Sequence, residues 1–98
     1  MALKVSLTLE SSQQLDKIFS YLLETWSEKI AKEFIKKIYS KTSYIQEFPQ
    51  LYPLTEIRKN VRRCVILKQV SLYYKNIDSS ILILSIFDTR QSPDKLKI

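Results

Sequence analysis

Hydrophobic and polar residues alternate at the start of the chain. Leu3, Val5, Leu7 and Leu9 share one face and Lys4, Ser6 and Thr8 the other, the period of a half-buried strand. The period then changes. Leu15, Ile18, Phe19, Leu22, Leu23 and Trp26 recur at steps of three and one, which predicts a helix lying on a core. Ser11 and Gln14 have capping-box spacing and put the helix start at Ser11–Ser12. Thr25 with Glu28, or Ser27, restarts the chain into a second helix. That helix carries Ile30, Ala31, Phe34, Ile35, Ile38, Ile45 and Phe48 on one face, with Lys29, Lys32, Lys36, Lys37 and Lys41 on or near the other. Pro49 and Pro53 end it. So short a joint makes the two helices an antiparallel hairpin, and the whole apolar stripe, Trp26 included, reads as core.

From Val61 onward the period is two and β-branched residues dominate. Strands are predicted at 61–67, 70–76 and 80–88, joined by Lys68-Gln69 and by the Asn76–Ser80 stretch, neither of which contains glycine. Residues 81–87, ILILSIF, are apolar on both faces, as in a central strand covered on both sides. The order is β-α-α-β-β-β. This is an α+β fold, a helical hairpin packed on a small, mainly antiparallel sheet, read as one domain over residues 1–98.

Composition narrows the chemistry. Histidine and glycine are both absent and cysteine occurs once. Without histidine there is no Ser-His-Asp triad, no Cys-His pair and no His-ligated metal. Without glycine there is no P-loop or dinucleotide fingerprint. Cys64 alone forms no intramolecular disulfide framework or multi-cysteine zinc site, and beside Val65 and Ile66 it reads as a small buried hydrophobe. No cofactor is called for. No apolar run approaches the length of a membrane span and the N-terminus has no signal-peptide core, so a cytoplasmic protein with no membrane partner is expected.

Charge is distributed unevenly. Residues 1–56 hold seven acids and seven bases, and residues 57–98 hold nine bases and three acids, so the second half carries the entire net charge of +6. Arg58, Lys59, Arg62, Arg63, Lys68 and Lys75 fall in an acid-free stretch between Ile57 and Ile77. The pattern suggests a face made for an anionic partner or, alternatively, a solvated strand surface. Arg62 and Arg63 are adjacent on a strand and point to opposite faces, as do Tyr73 and Tyr74. One tyrosine is then core, and the other is free to stack on a base or a partner. Lys68 lies at a hairpin tip. Arg90, just past a buried strand, is either a functional cation or the partner of Asp88 or Asp94.

Three segments in the same order carry a resemblance. They are IFSYLLETWSEKIAKEFIKKIYSKTSYIQEFPQLYP (18–53), with Tyr21, Trp26, Ala31, Phe34 and Pro49 at its marked positions, VRRCVILKQVSLYYK (61–75), and ILILSIFDTRQ (81–91) with its terminal Arg90. Together they resemble the RelE/ParE superfamily of bacterial type II toxin–antitoxin toxins over nearly the whole chain. The resemblance implies a toxin neutralised by a cognate antitoxin, with a homodimer or a heterotetramer with antitoxin as the expected assembly. It allows two activities, since fold does not decide between them. RelE-like members cut mRNA on the ribosome, but Ser71 stands where their third-strand arginine is expected and no tyrosine follows Tyr74. ParE-like members bind DNA gyrase, and the Trp26-bearing helical pattern is closer to that branch, although Asp88 stands where a histidine is common. On this reading Arg62, Arg63, Lys68, Tyr73 and Arg90 form the target-binding set. Arg62, Arg63 and Arg90 are the catalytic candidates if the chain is a nuclease.

Overall fold

A computed structural model describes residues 3–98; residues 1 and 2 of the expected domain lie outside them. The elements run β1 (Lys4–Leu7), α1 (Leu9–Thr25), α2 (Glu28–Glu47), β2 (Arg62–Leu67), β3 (Val70–Ile77) and β4 (Ser80–Asp88), with a single 3-10 turn at Pro93–Lys95. The strands form one sheet in the order β1-β4-β3-β2. β1 runs parallel to β4, and the other two pairings are antiparallel. β4 is therefore central, as its two apolar faces require. This is the predicted α+β architecture.

The main core lies between the helices and one sheet face. Phe34, Ile38 and Ile45 of α2 meet Cys64, Ile66, Leu72, Tyr74, Ile81, Ile83 and Ile86 of the strands. A second, smaller core covers the opposite face, where Leu84, Leu96 and Ile98 pack on Val61, Tyr73 and Phe87. The two cores share β4 because its side chains alternate between faces, and a bulge between its pairings with Tyr73 and Tyr74 shifts the alternation by one residue, so that Ile86 joins Ile81 and Ile83 in the main core.

Four sequence expectations are corrected. β1 ends at Leu7, not at residue 9, and α1 is capped by Thr8, whose Oγ1 accepts the Ser11 N–H at 3.1 Å. Ser11 lies inside the helix, fully buried, with its hydroxyl 3.0 Å from the Ile83 carbonyl. Alternation over Lys4–Leu9 is equally compatible with a strand that turns into a helix at Thr8, and tertiary bonding selects that arrangement. Trp26 is the third correction. The helix stops at Thr25, Trp26 leaves helical geometry as the C-cap (φ −110°, ψ −87°), and the residue is 67 % exposed. Ser27 then caps α2, accepting the Ile30 N–H at 3.1 Å. Phe48 likewise falls just past the end of α2 and is exposed.

The missing glycines are replaced locally. Among the described residues only Asn60 (φ 65°) and Asp78 (φ 53°) take positive φ, and these side-chain types tolerate that region best after glycine. Asp78 and Ser79 form the two-residue β3–β4 connection.

The register of β1 has one further consequence. Its pairing with β4 ends at Leu7–Ile83, which leaves the β4 backbone beyond that point without a strand neighbour on this side. The first turns of α1 take over the bonding. Thr8 N–H donates to Ile83 O at 3.1 Å, Thr8 Oγ1 lies 3.3 Å from Leu84 O, and Gln14 Oε1 accepts from Ile86 N–H at 2.8 Å and Ser85 Oγ at 3.2 Å. Gln14→Leu strands a buried amide and a buried hydroxyl, so a loss of about 1–3 kcal/mol is expected. Urea denaturation measures the loss, and faster exchange of the Ile86 amide locates it. Unchanged stability would mean that another acceptor replaces Gln14.

Candidate partner-binding cleft

The C-terminal half of α1, the β2–β3 turn and the end of β4 enclose an open cleft of about 720 Å³. Ile18, Tyr21, Leu22 and Trp26 form one wall, Leu67 to Val70 the second, and Asp88, Arg90 and Gln91 the third, with Lys17 at the margin. The second and third walls are tied together, since Thr89 N–H donates to Gln69 O at 2.7 Å. The cleft combines apolar and aromatic surface with three cations (Lys17, Lys68 and Arg90) and one acid (Asp88).

Arg90 is held by Asp88. Its Nε lies 3.0 and 3.2 Å from the two carboxylate oxygens and its Nη2 2.7 Å from Oδ2, while the Arg90 backbone N–H donates to Oδ1 at 2.9 Å. The structure thus selects Asp88, not Asp94, as its partner. The Arg90 side chain remains half exposed whereas that of Asp88 is largely covered. Hydrogen bonding from Arg90 holds the Asp88 carboxyl below its ordinary range, against the opposing effect of partial burial. A carboxylate with a depressed folded-state pKa stabilises the fold above its unfolded pKa and loses that contribution as pH falls through the folded one. Acid unfolding below about pH 4 is therefore expected to be shallower in Asp88→Asn than in the parent chain. Superimposable acid limbs would remove Asp88 from the titration.

The five sequence-predicted residues separate. Lys68 and Arg90 share the cleft. Arg62 does not reach it. Its Nη1 donates to the carbonyls of Tyr52 at 2.7 Å and Gln50 at 3.4 Å, so it ties β2 to the loop that follows α2. Arg63 lies on the opposite sheet face, with its Nε donating to Ser71 Oγ at 3.0 Å. Tyr73 is only 4 % exposed, enclosed in the second core, and Tyr74 is fully buried with its hydroxyl donating to Pro49 O at 2.9 Å. The expectation that one tyrosine of the pair stands free is corrected, because both sheet faces are covered at β3.

Cys64 is buried, as its neighbours in the sequence suggest. Burial raises its thiol pKa, while the Tyr52 hydroxyl and Lys41 pull in the opposite direction. The Tyr52 phenol is itself pushed up to about 12, first by burial and then by the adjacent thiol. Both groups are neutral at physiological pH, and the thiol is not an activated nucleophile. Among the described residues there is no group of three or more His, Cys, Asp or Glu placed to hold a metal ion, and no helix long and apolar enough to cross a membrane.

The sequence pattern assigned Trp26 to the core and did not place Tyr21 at the cleft. The available signal was Ser27, whose capping role requires the first helix to end just before it and releases Trp26 from the stripe.

Comparison with known proteins gives a consistent result. No curated protein matches the chain in sequence. Among solved structures, the chromosomal ParDE toxin–antitoxin system from P. aeruginosa superposes with a TM-score of 0.75 at 17 % identity, covering 89 % of this chain and 96 % of that one. A YoeB/ParE toxin from Agrobacterium tumefaciens gives 0.64 at 13 % identity, with 88 % and 98 % covered. The E. coli DinJ-YafQ toxin-antitoxin complex gives 0.63 at 10 %, with 92 % and 96 % covered. At these identities the likeness is one of fold. The family described as the ParE toxin of the type II toxin-antitoxin system parDE matches residues 5–93, nearly the whole α+β unit described above, and the chain therefore belongs to the ParE toxin family of type II toxin–antitoxin systems.

Proposed function

We propose that this toxin arrests growth in the bacterial cytoplasm by binding DNA gyrase, as a ParE-like inhibitor and not as an mRNA endonuclease, and that a cognate antitoxin neutralises it. The observation that carries this reading is the dispersal of its arginines. Cleavage of RNA through its 2′-OH needs a group to activate the hydroxyl, a cation at the phosphorane and an acid for the leaving oxygen, all converging on one phosphate. Here Arg62 is bonded to loop carbonyls, Arg63 to Ser71 on another face, and Arg90 to Asp88. Inhibition by binding needs only a surface. The cleft offers one in which exposed Trp26 and Tyr21 lie beside Arg90, the three residue types that dominate protein–protein affinity, with Lys68 adding positive charge.

The test is induction of the chain in a bacterial host, with RNA 5′ ends mapped within minutes and gyrase-linked DNA breaks assayed in parallel. Growth arrest with DNA breaks, no new RNA ends and relief by the co-expressed antitoxin is the expected result. New ends at fixed positions within translated codons would instead assign a ribosome-dependent endonuclease.

A further inference from the structure

The Asp88–Arg90 pair has the geometry of a ligand contact made within the chain. Two guanidinium nitrogens face two carboxylate oxygens in a fork, and the Arg90 backbone N–H grips the same carboxylate. Such bidentate pairs are the arrangement in which arginine recognises a carboxylate on another molecule. The pair lies at the cleft wall, not beneath it, and the arginine stays half exposed. We propose that Asp88 stands in for a partner's carboxylate. It occupies the Arg90 fork in the free protein, and an acidic protein segment with apolar anchor residues displaces it on binding. The proposal rests on the cleft being the partner-binding surface.

Two features of the cleft identify the occupant. Its charges are Lys17, Lys68 and Arg90 against Asp88 alone, so an acidic ligand is favoured. Its walls are formed by Ile18, Leu22, Trp26, Leu67 and Val70, which suit aliphatic or aromatic side chains better than a phosphodiester backbone. Because an ion pair whose arginine is half exposed to solvent contributes little to stability, opening it is a small step, and a partner carboxylate in the same fork restores what is lost. Until then Asp88 competes for the fork and lowers affinity for anions that lack an apolar anchor. In this way the residue sets specificity.

The full chain and its Asp88→Asn, Arg90→Ala and doubly substituted forms are titrated with a fluorescein-labelled peptide of repeating Glu-Leu-Glu-Phe and, separately, with labelled oligouridylate. Asp88→Asn is expected to bind the peptide about two- to fivefold more tightly, the equilibrium equivalent of freeing an exposed pair. Arg90→Ala should weaken binding, and the double variant should match Arg90→Ala. The Arg90 Nε–H resonance of the parent chain should shift on peptide addition, a response that a purely structural pair would not show. Equal peptide affinity in Asp88→Asn and the parent overturns the proposal. A gain for oligouridylate alone overturns it in favour of a phosphate ligand. Peptide binding unaffected by both Arg90→Ala and Trp26→Ala has a different signature and removes the cleft itself as the docking surface.

Discussion

Phe34→Ala is expected to lower stability by about 3–5 kcal/mol, the usual range for a phenylalanine truncated in a close-packed core. Phe34 is 1 % exposed and sits where α2 meets the sheet, in one cluster with Leu72, Tyr74 and Ile83. The lost transfer energy and the residual cavity act together, because strands on one side and a helix on the other leave the site little room to collapse. Domains of this size are stable by only about 5–15 kcal/mol in total. The thermal midpoint should therefore fall by roughly 15 °C or more, and a sizeable fraction of the chain should unfold near physiological temperature. Thermal and urea denaturation followed by circular dichroism measure this. A loss below about 1 kcal/mol, the range of ordinary surface substitutions, would mean that the helix–sheet packing described here is wrong.

Trp26→Ala is expected to do the opposite. Trp26 lies on the apolar stripe of the first helix as Phe34 does on that of the second, yet the residue is two-thirds exposed. The cap it provides is a backbone contact, Trp26 N–H to Leu22 O at 2.9 Å, which alanine retains. Stability should stay within about 0.5 kcal/mol of the parent. The effect appears in function instead. Tryptophan is among the residue types enriched at binding hot spots, and truncation of Trp26 is expected to weaken partner affinity by about 2 kcal/mol or more, roughly thirtyfold. Growth arrest on induction and titration of the purified chain with the co-expressed antitoxin read out the two consequences. Unchanged arrest together with unchanged affinity would exclude Trp26 from the contact surface. A midpoint several degrees lower would show that the indole packs more deeply than its exposure indicates.

The contrast between these two residues shows where the sequence can be read directly. Period three-to-four and period two are consequences of helix and strand geometry, so the element types and their order follow from residue patterns alone. β4 could be identified as central because a strand covered on both faces carries apolar residues on both, and ILILSIF, interrupted only by Ser85, meets that condition. Cys64 could be read as buried and unreactive from its neighbours. The excluded chemistries follow from the absence of histidine and glycine and need no coordinates. Asn60 and Asp78 are the residue types able to take left-handed turns when glycine is missing, but their exact positions were not evident from the pattern.

Element ends and the site depended on contacts between residues far apart in the chain. Thr8, not Ser11, caps α1 because the first turns of that helix must supply hydrogen-bond partners to β4 where β1 stops, some seventy residues away in sequence. No local pattern encodes such a requirement. Arg62, Arg63, Lys68 and Arg90 are indistinguishable as charges in a sequence, and only the register of β2 and the loop after α2 separate them. One is bonded to carbonyls, one lies on the far sheet face and two share the cleft. Tyr73 alternates with Tyr74 as the strand period dictates, but the packing of Leu96 and Ile98 on the far face buries it. The sequence by itself determined the fold class, the order of elements and the chemistry this protein lacks, because periodicity and composition are local properties of the chain. Which cations converge, which aromatic residue faces solvent and which carboxylate holds Arg90 were decided only by the tertiary structure, because each depends on segments that meet in space alone.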